Sequence, residues 1–160
     1  MNRINRILQH EAYCQALLDI ASLEEGLIFC KHNIEHFLDV ARLGYLFNLL
    51  DGLTIPKEEI YAAALLHDIG RHVQYLKKIP HQESSAQIAE GILQDCSFSK
   101  CERMRILEAI RAHCDANTVS RKDLAGILYQ ADKKSRACFA CETSDRCNWS
   151  EETKNMRLEF

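Results

Sequence analysis

Three observations predict an all-α, single-domain helical bundle. The 160 residues carry only 6 Gly and 2 Pro, so long stretches are free of helix breakers. Ala, Leu, Glu and Lys are abundant while β-branched runs are few. Apolar residues recur at helical spacing through most of the chain. The length suits one domain with one substantial core.

Taken in order, Ile4, Ile7, Leu8, Leu17, Leu18 and Ala21 predict a first amphipathic helix, broken at Gly26 before Leu27-Ile28-Phe29-Cys30. From His32 to Leu50 a stripe of Phe37, Val40, Ala41, Gly44, Phe47 and Leu50 predicts a second, which Asp51-Gly52 ends. Thr54-Ile55-Pro56-Lys57-Glu58-Glu59 starts the next, with Pro56 in its first turn. The following stretch through Tyr75 and Pro80 is irregular and is the longest candidate for an active-site loop. Further helices are expected near Gln82–Gln94, Glu102–His113 and Arg121–Cys141. Residues 1–147 form the expected domain and 148–160 a polar tail, with one short helix from Ser150. No internal repeat or linker is evident.

Composition excludes several classes. A hydrophobic content of 47% with 27% charged residues is that of a water-soluble globular chain. The net charge of −3 argues against bulk capture of nucleic acid. The basic clusters Lys77-Lys78, Arg121-Lys122 and Lys133-Lys134-Arg136 read as solvated helix faces. The longest nearly apolar run, Leu43 to Leu50, is too short to span a bilayer. Arg3, Arg6, His10 and Glu11 interrupt any secretory signal. Eight Cys without an export signal are expected as reduced thiols or metal ligands in a cytoplasmic protein.

The most informative segment is Ala62-Ala63-Ala64-Leu65-Leu66-His67-Asp68-Ile69-Gly70, where an apolar helix ends in an imidazole beside a carboxylate. Two desolvated polar groups are costly unless compensated, and a divalent metal compensates both. Small residues ahead of the pair let helices approach, and Gly70 permits a turn. Elsewhere, His36 lies on the apolar stripe of its helix, four residues before Val40, and Asp132 ends the apolar run Ala125 to Ala131. A lone His or Asp of this kind is most often an ordinary satisfied polar residue; three helices each carrying one inward are not.

The order His36 … His67-Asp68 … Asp132 resembles the HD-domain superfamily of metal-dependent phosphohydrolases, in the contexts His36-Phe37-Leu38-Asp39-Val40-Ala41, Ala64-Leu65-Leu66-His67-Asp68-Ile69-Gly70-Arg71 and Ala131-Asp132-Lys133. The resemblance covers roughly residues 30 to 140. It implies an all-α bundle of the HD type in which His36, His67, Asp68 and Asp132 bind one divalent cation. His32 is the rival for the first position. In binuclear members, histidines at places comparable to His81 and His113 hold a second metal, with the Asp of the pair bridging; substrate phosphate contact or helix capping is the other reading of both. The ligand types leave Fe, Mn, Zn, Ni, Co and Mg undistinguished. His10 and His72 lack a matching context and are read as surface or supporting residues.

What the resemblance implies chemically is water activated by metal at neutral pH, acting on a small-molecule phosphate ester, a nucleotide by expectation. Asp68 would serve as ligand and catalytic carboxylate, and Arg71 and Lys133 as cations for the phosphoryl oxygens. The His-His-Glu, Asp-Gly and Gly-Tyr-Pro signature of cyclic-dinucleotide phosphodiesterases is absent, since Cys114-Asp115 follow His113. Oligomeric state is open, self-association included.

Cys138, Cys141 and Cys147 form a C-x2-C-x5-C pattern. Such spacing suits a thiolate site for zinc, with a fourth ligand from Cys14, Cys30, Cys96, Cys101 or Cys114, or for an iron–sulfur cluster; small buried hydrophobes are the plain alternative. A non-catalytic metal or redox sensor using these cysteines is the second functional reading, and a nucleic-acid-binding module the third.

Overall fold

The computed structural model describes residues 1–158, and within them the regular secondary structure is all helix, with no strand. Eight α-helices are formed among the described residues: α1 (Asn2–Leu8), α2 (Glu11–Leu23), α3 (Ile34–Leu50), α4 (Lys57–Leu66), α5 (Arg71–Lys77), α6 (His81–Asp95), α7 (Lys100–Ala112) and α8 (Leu124–Lys134). No helix among them is long and apolar enough to cross a membrane.

Helix α4 is the axis of the bundle. It packs against α3, α7, α8, α1 and α6, and Ile60 and Ala62 to Leu66 are all buried. A helix apolar on every side has no solvent face and must be enclosed. Close approach is allowed by small residues: a Cβ at Gly44 of α3 would sit 3.1 Å from Ile60 and 3.2 Å from Ile127. The buried charge on α4 is Glu59, gripped by Arg105 of α7 through two hydrogen bonds of 2.8 and 2.6 Å. A bidentate guanidinium satisfies a carboxylate in this setting. Arg3 ties α1 to the same core, donating to Glu58 and Glu102 with its guanidinium over Phe98.

Local chemistry explains where expectation and structure part. The first predicted helix is two, because the His10 ring accepts from Ala12 N and caps α2, turning the chain after Leu8. The second begins at Ile34, where Asn33 caps it through the backbone N–H of His36. Pro56 stands at the N-cap of α4, just ahead of the first turn. The stretch expected as a loop forms α5 after a turn through Ile69 and Gly70, and Lys78 to Pro80 remain irregular, with Lys78 left-handed at φ 61°. Helix α7 starts with a reciprocal Ser99–Glu102 capping box. Helix α8 is shorter than Arg121–Cys141: Asp123 caps its start, Ser135 its end, and 3-10 turns at Cys138–Ala140 and Ser144–Arg146 follow. The helix expected from Ser150 is a single turn, in which Ser150 O accepts from Thr153 N and Lys154 N; Glu159 and Phe160 lie outside the described residues. Asn155 folds back and is buried, donating to the carbonyls of Lys134 and Arg136.

The basic pair Arg121-Lys122 meets carboxylates of Glu108, Asp123 and Asp51, in keeping with a solvated face.

Candidate metal centre

Three helix ends deliver four polar side chains into one buried volume. His67 is the C-cap of α4 and Asp68 follows it; His36 lies in the first turn of α3 and Asp132 in the last turn of α8. One ligand atom from each of His36, His67, Asp68 and Asp132 lies within 4.8 Å of all the others, and all four residues are buried. Nε2 of His36 stands 3.4 Å from Asp132 Oδ1, and Nε2 of His67 stands 3.3 Å from Asp68 Oδ2 and 3.7 Å from Asp132 Oδ1.

The antiparallel pair α6–α7 adds two more rings, since its short connection places the start of α6 beside the end of α7. His81 Nε2 lies 3.2 Å and His113 Nε2 3.5 Å from Asp68 Oδ1. The two oxygens of Asp68 therefore face different rings, Oδ1 toward His81 and His113 and Oδ2 toward His67 and His32, while Arg71 donates to both.

Each ring is oriented by its other nitrogen. Nδ1 of His67 donates to Ala64 O at 2.7 Å and Nδ1 of His113 to Ile110 O at 2.6 Å, both carbonyls left free at helix ends. His81 Nδ1 faces Gln74 Oε1 at 2.9 Å, and His32 Nδ1 faces Glu24 Oε1 at 2.5 Å. Ser135 Oγ donates to Asp132 O, so its oxygen accepts from His36 Nδ1. These partners assign the proton of each neutral ring to Nδ1 and leave the Nε2 lone pairs turned inward. Nε2 of His36 and of His67 are buried with no hydrogen-bond partner. Nε2 of His81 and His113 face each other at 3.1 Å, an approach two lone pairs tolerate only with a cation or a proton between them.

Electrostatics agree with a cation-seeking site. Burial pushes His36 down to about 4 against the pull of Asp132. Burial likewise lowers His81 to about 3, aided by Arg71 and His113. Both are neutral at pH 7, the form that ligates. Burial opposes ionisation of Asp68 and Asp132, yet their cationic and imidazole neighbours hold both well below the usual carboxylate range. Burial is also outweighed at His67 by Asp68 and Asp132, which raise it, and at His113 by Asp68 and Cys114, which raise it to about 10. Protons on these rings, with Arg71 and Lys133, offset two buried carboxylates; a divalent cation fits the same role and the donor set suits it.

Both cations singled out from the sequence touch the acids. Arg71 donates to Asp68 Oδ1 at 3.0 Å and also borders a cavity of about 320 Å³ next to the cluster. Lys133 donates to Asp132 Oδ2 at 2.6 Å, with its ammonium near the rings of Trp149 and Tyr129. His10 is a cap bonded to Asp95, and His72 Nδ1 donates to Ile69 O of its own turn. Cys114, named from the sequence only as a possible fourth thiolate for the C-x2-C-x5-C pattern, stands instead with its Sγ 3.3 Å from His81 Nε2 and 3.4 Å from His113 Nε2, forming a second group of potential ligands. Sequence reasoning missed Glu24, a buried carboxylate that orients His32 and accepts from Tyr75 Oη at 2.6 Å. No pattern around Glu24 marks it.

The turn after the His-Asp pair is locked to α6. Gly70 N donates to Ser85 Oγ and Ser84 Oγ donates to Gly70 O, and a Cβ on Gly70 would collide with Ser85 N and Ser84 Oγ. Gly70→Ala is therefore expected to destabilise the fold by about 1–3 kcal/mol and to weaken metal binding by displacing Asp68. Denaturant midpoints and metal titration check this, and a variant unchanged in both would refute the close contact.

Residues 33–137 match a family model described as HD domain. The chain is also similar, at 40% identity over 160 residues and the full length of both chains, to an uncharacterized protein of Clostridium beijerinckii. No solved structure matches it.

Proposed function

The chain belongs to the HD-domain family, and from that premise we propose that it hydrolyses a phosphate ester, a nucleotide or close relative, with water activated at the His/Asp cluster. The observation that carries this reading is the pair of buried, unpartnered Nε2 atoms of His36 and His67 facing Asp68 and Asp132. A buried polar atom without a partner is costly, and the carboxylate oxygens 3.3 to 3.7 Å away meet neither atom in hydrogen-bond geometry.

His36, His67, Asp68 and Asp132 would hold one divalent cation; His81 and His113 would hold a second, with Asp68 between and Cys114 beside them. A bound cation supplies Lewis acidity toward a phosphoryl oxygen and a lowered pKa, toward ~7, for water. The remaining work falls to the protein. Arg71 and Lys133 supply positive charge for the equatorial phosphoryl oxygens. The buried carboxylates and rings exclude bulk water, which strengthens every charge interaction within. His32, Arg71 and Tyr75 form a stretch of cavity wall adjoining Asp68, and this is the side from which a phosphate would approach.

The test is turnover by metal-stripped protein, reloaded in turn with Mn, Fe, Zn, Ni, Co or Mg and offered nucleoside mono-, di- and triphosphates. Phosphate release that requires metal supports the reading; loaded protein without turnover on any of them overturns it. Arg71→Ala is expected to keep its metal but lose about 10²–10³ in kcat, the usual loss when one preorganised donor is removed. Full metal with unchanged rate would remove Arg71 from the mechanism.

A further inference from the structure

Four of the eight cysteines, drawn from two distant segments, surround one cavity. Cys30 lies in the connection between α2 and α3, and Cys138, Cys141 and Cys147 follow α8. All four are free thiols and all line the cavity of about 320 Å³ that also touches His32 and Arg71. The pattern C-x2-C-x5-C leaves the fourth partner open among five cysteines; the fold selects one. Cys14 and Cys101 border other surfaces, Cys96 is in the apolar core, and Cys114 stands against His81 and His113.

We propose that Cys30, Cys138, Cys141 and Cys147 hold an iron–sulfur cluster, which clamps the segment after α8 onto the connection before α3, beside the HD centre. Three further observations support it. First, a single zinc with Zn–S bonds of about 2.3 Å in a tetrahedron needs its sulfurs roughly 3.8 Å apart. Among the described residues, the sets of three or more ligand atoms within 4.8 Å of one another are those of the HD centre, and no trio of these thiols is among them. Four thiols lining one open volume without such a close trio suit a cluster, whose own iron and sulfide atoms lie between its ligands.

Second, a positive group waits at the wall. Arg136 lines the cavity, its Nη1 donates to Lys31 O at 2.8 Å, and its Nε is buried without a partner. An N–H aimed at cluster sulfur would satisfy that nitrogen and offset the negative charge of a four-thiolate centre. Lys154 adds a second cation, and Trp149 closes the apolar side.

Third, among the described residues the two segments are otherwise joined by hydrogen bonds such as Thr143 Oγ1 to Ile28 O and Arg136 Nη1 to Lys31 O.

The experiment uses the full chain, purified without oxygen and, in parallel, reconstituted with ferrous iron and sulfide. Iron, zinc, acid-labile sulfide and visible charge-transfer absorbance are measured for the wild type, Cys141→Ser, Cys147→Ser and Cys101→Ser. Labile sulfide separates this centre from any iron at His36, His67, Asp68 and Asp132. The expected result is sulfide and absorbance in the wild type and Cys101→Ser, with both lost in the other two variants, whose helical circular dichroism is retained. Faster proteolysis within 136–149 should accompany that loss. Zinc without sulfide, lost in Cys141→Ser, would overturn the cluster; so would sulfide retained by both Cys141→Ser and Cys147→Ser, or wild type binding neither metal after reconstitution.

Discussion

Asp68→Ala protein is expected to lose its divalent metal and with it about 10³-fold or more of any metal-dependent hydrolysis, since the several kcal/mol of charge stabilisation that a metal contributes leave together. No other side chain stands where Asp68 does. Its Oδ1 lies 3.2 Å from His81 Nε2 and 3.5 Å from His113 Nε2, and its Oδ2 lies 3.3 Å from His67 Nε2 and 3.5 Å from His32 Nε2. Alanine removes the shared anion, so the facing rings and Arg71 are left to repel. Excess metal should not restore activity, because the ligand is missing rather than weakened. Asp68→Asn keeps the shape without the charge and should fail nearly as badly. The measurement is metal content against rate in the same preparation, and an active, metal-free Asp68→Ala protein would end the hydrolase reading.

Phe37→Ala is expected to cost about 3–5 kcal/mol of stability, the range for deleting a buried aromatic ring. Phe37 is fully buried next to His36 in the sequence. Its ring centroid lies 5.4 Å from that of His67 and 5.7 Å from that of His36. The ring is thus both core and wall of the metal centre. Loss of packing should let the imidazoles depart from their orientation, weakening metal binding even where the fold survives. Phe37→Leu should recover much of the stability. Chemical denaturation of metal-stripped protein gives the first quantity and metal titration the second. A cost below about 1 kcal/mol, ordinary for a surface change, would refute this placement of the ring.

The helices that carry the candidate ligands were legible in the sequence because their signals are local. Phe37, Val40, Ala41 and Gly44 repeat at helical spacing, and the run Ala62 to Leu66 has no polar face to show to water. Polar ligand types on such apolar stripes stand out, which is why His36, His67, Asp68 and Asp132 could be named together, and the structure brings them within reach of one another. Legibility ended where a single side chain overrode the periodic pattern. The His10 cap divides α1 from α2, and residues 71–77 carry α5 with no buried residue to mark it.

What the tertiary structure alone decided is which residues meet across the chain. His32 and Tyr75 meet on Glu24 Oε1, Tyr75 from 51 positions away, Cys114 reaches His81 across the α6–α7 pair, and Cys30 joins Cys138, Cys141 and Cys147 around one cavity. Periodicity records that a face is buried but not against what, because one chain's spacing is set by backbone geometry while its partners are set by how α4 is enclosed.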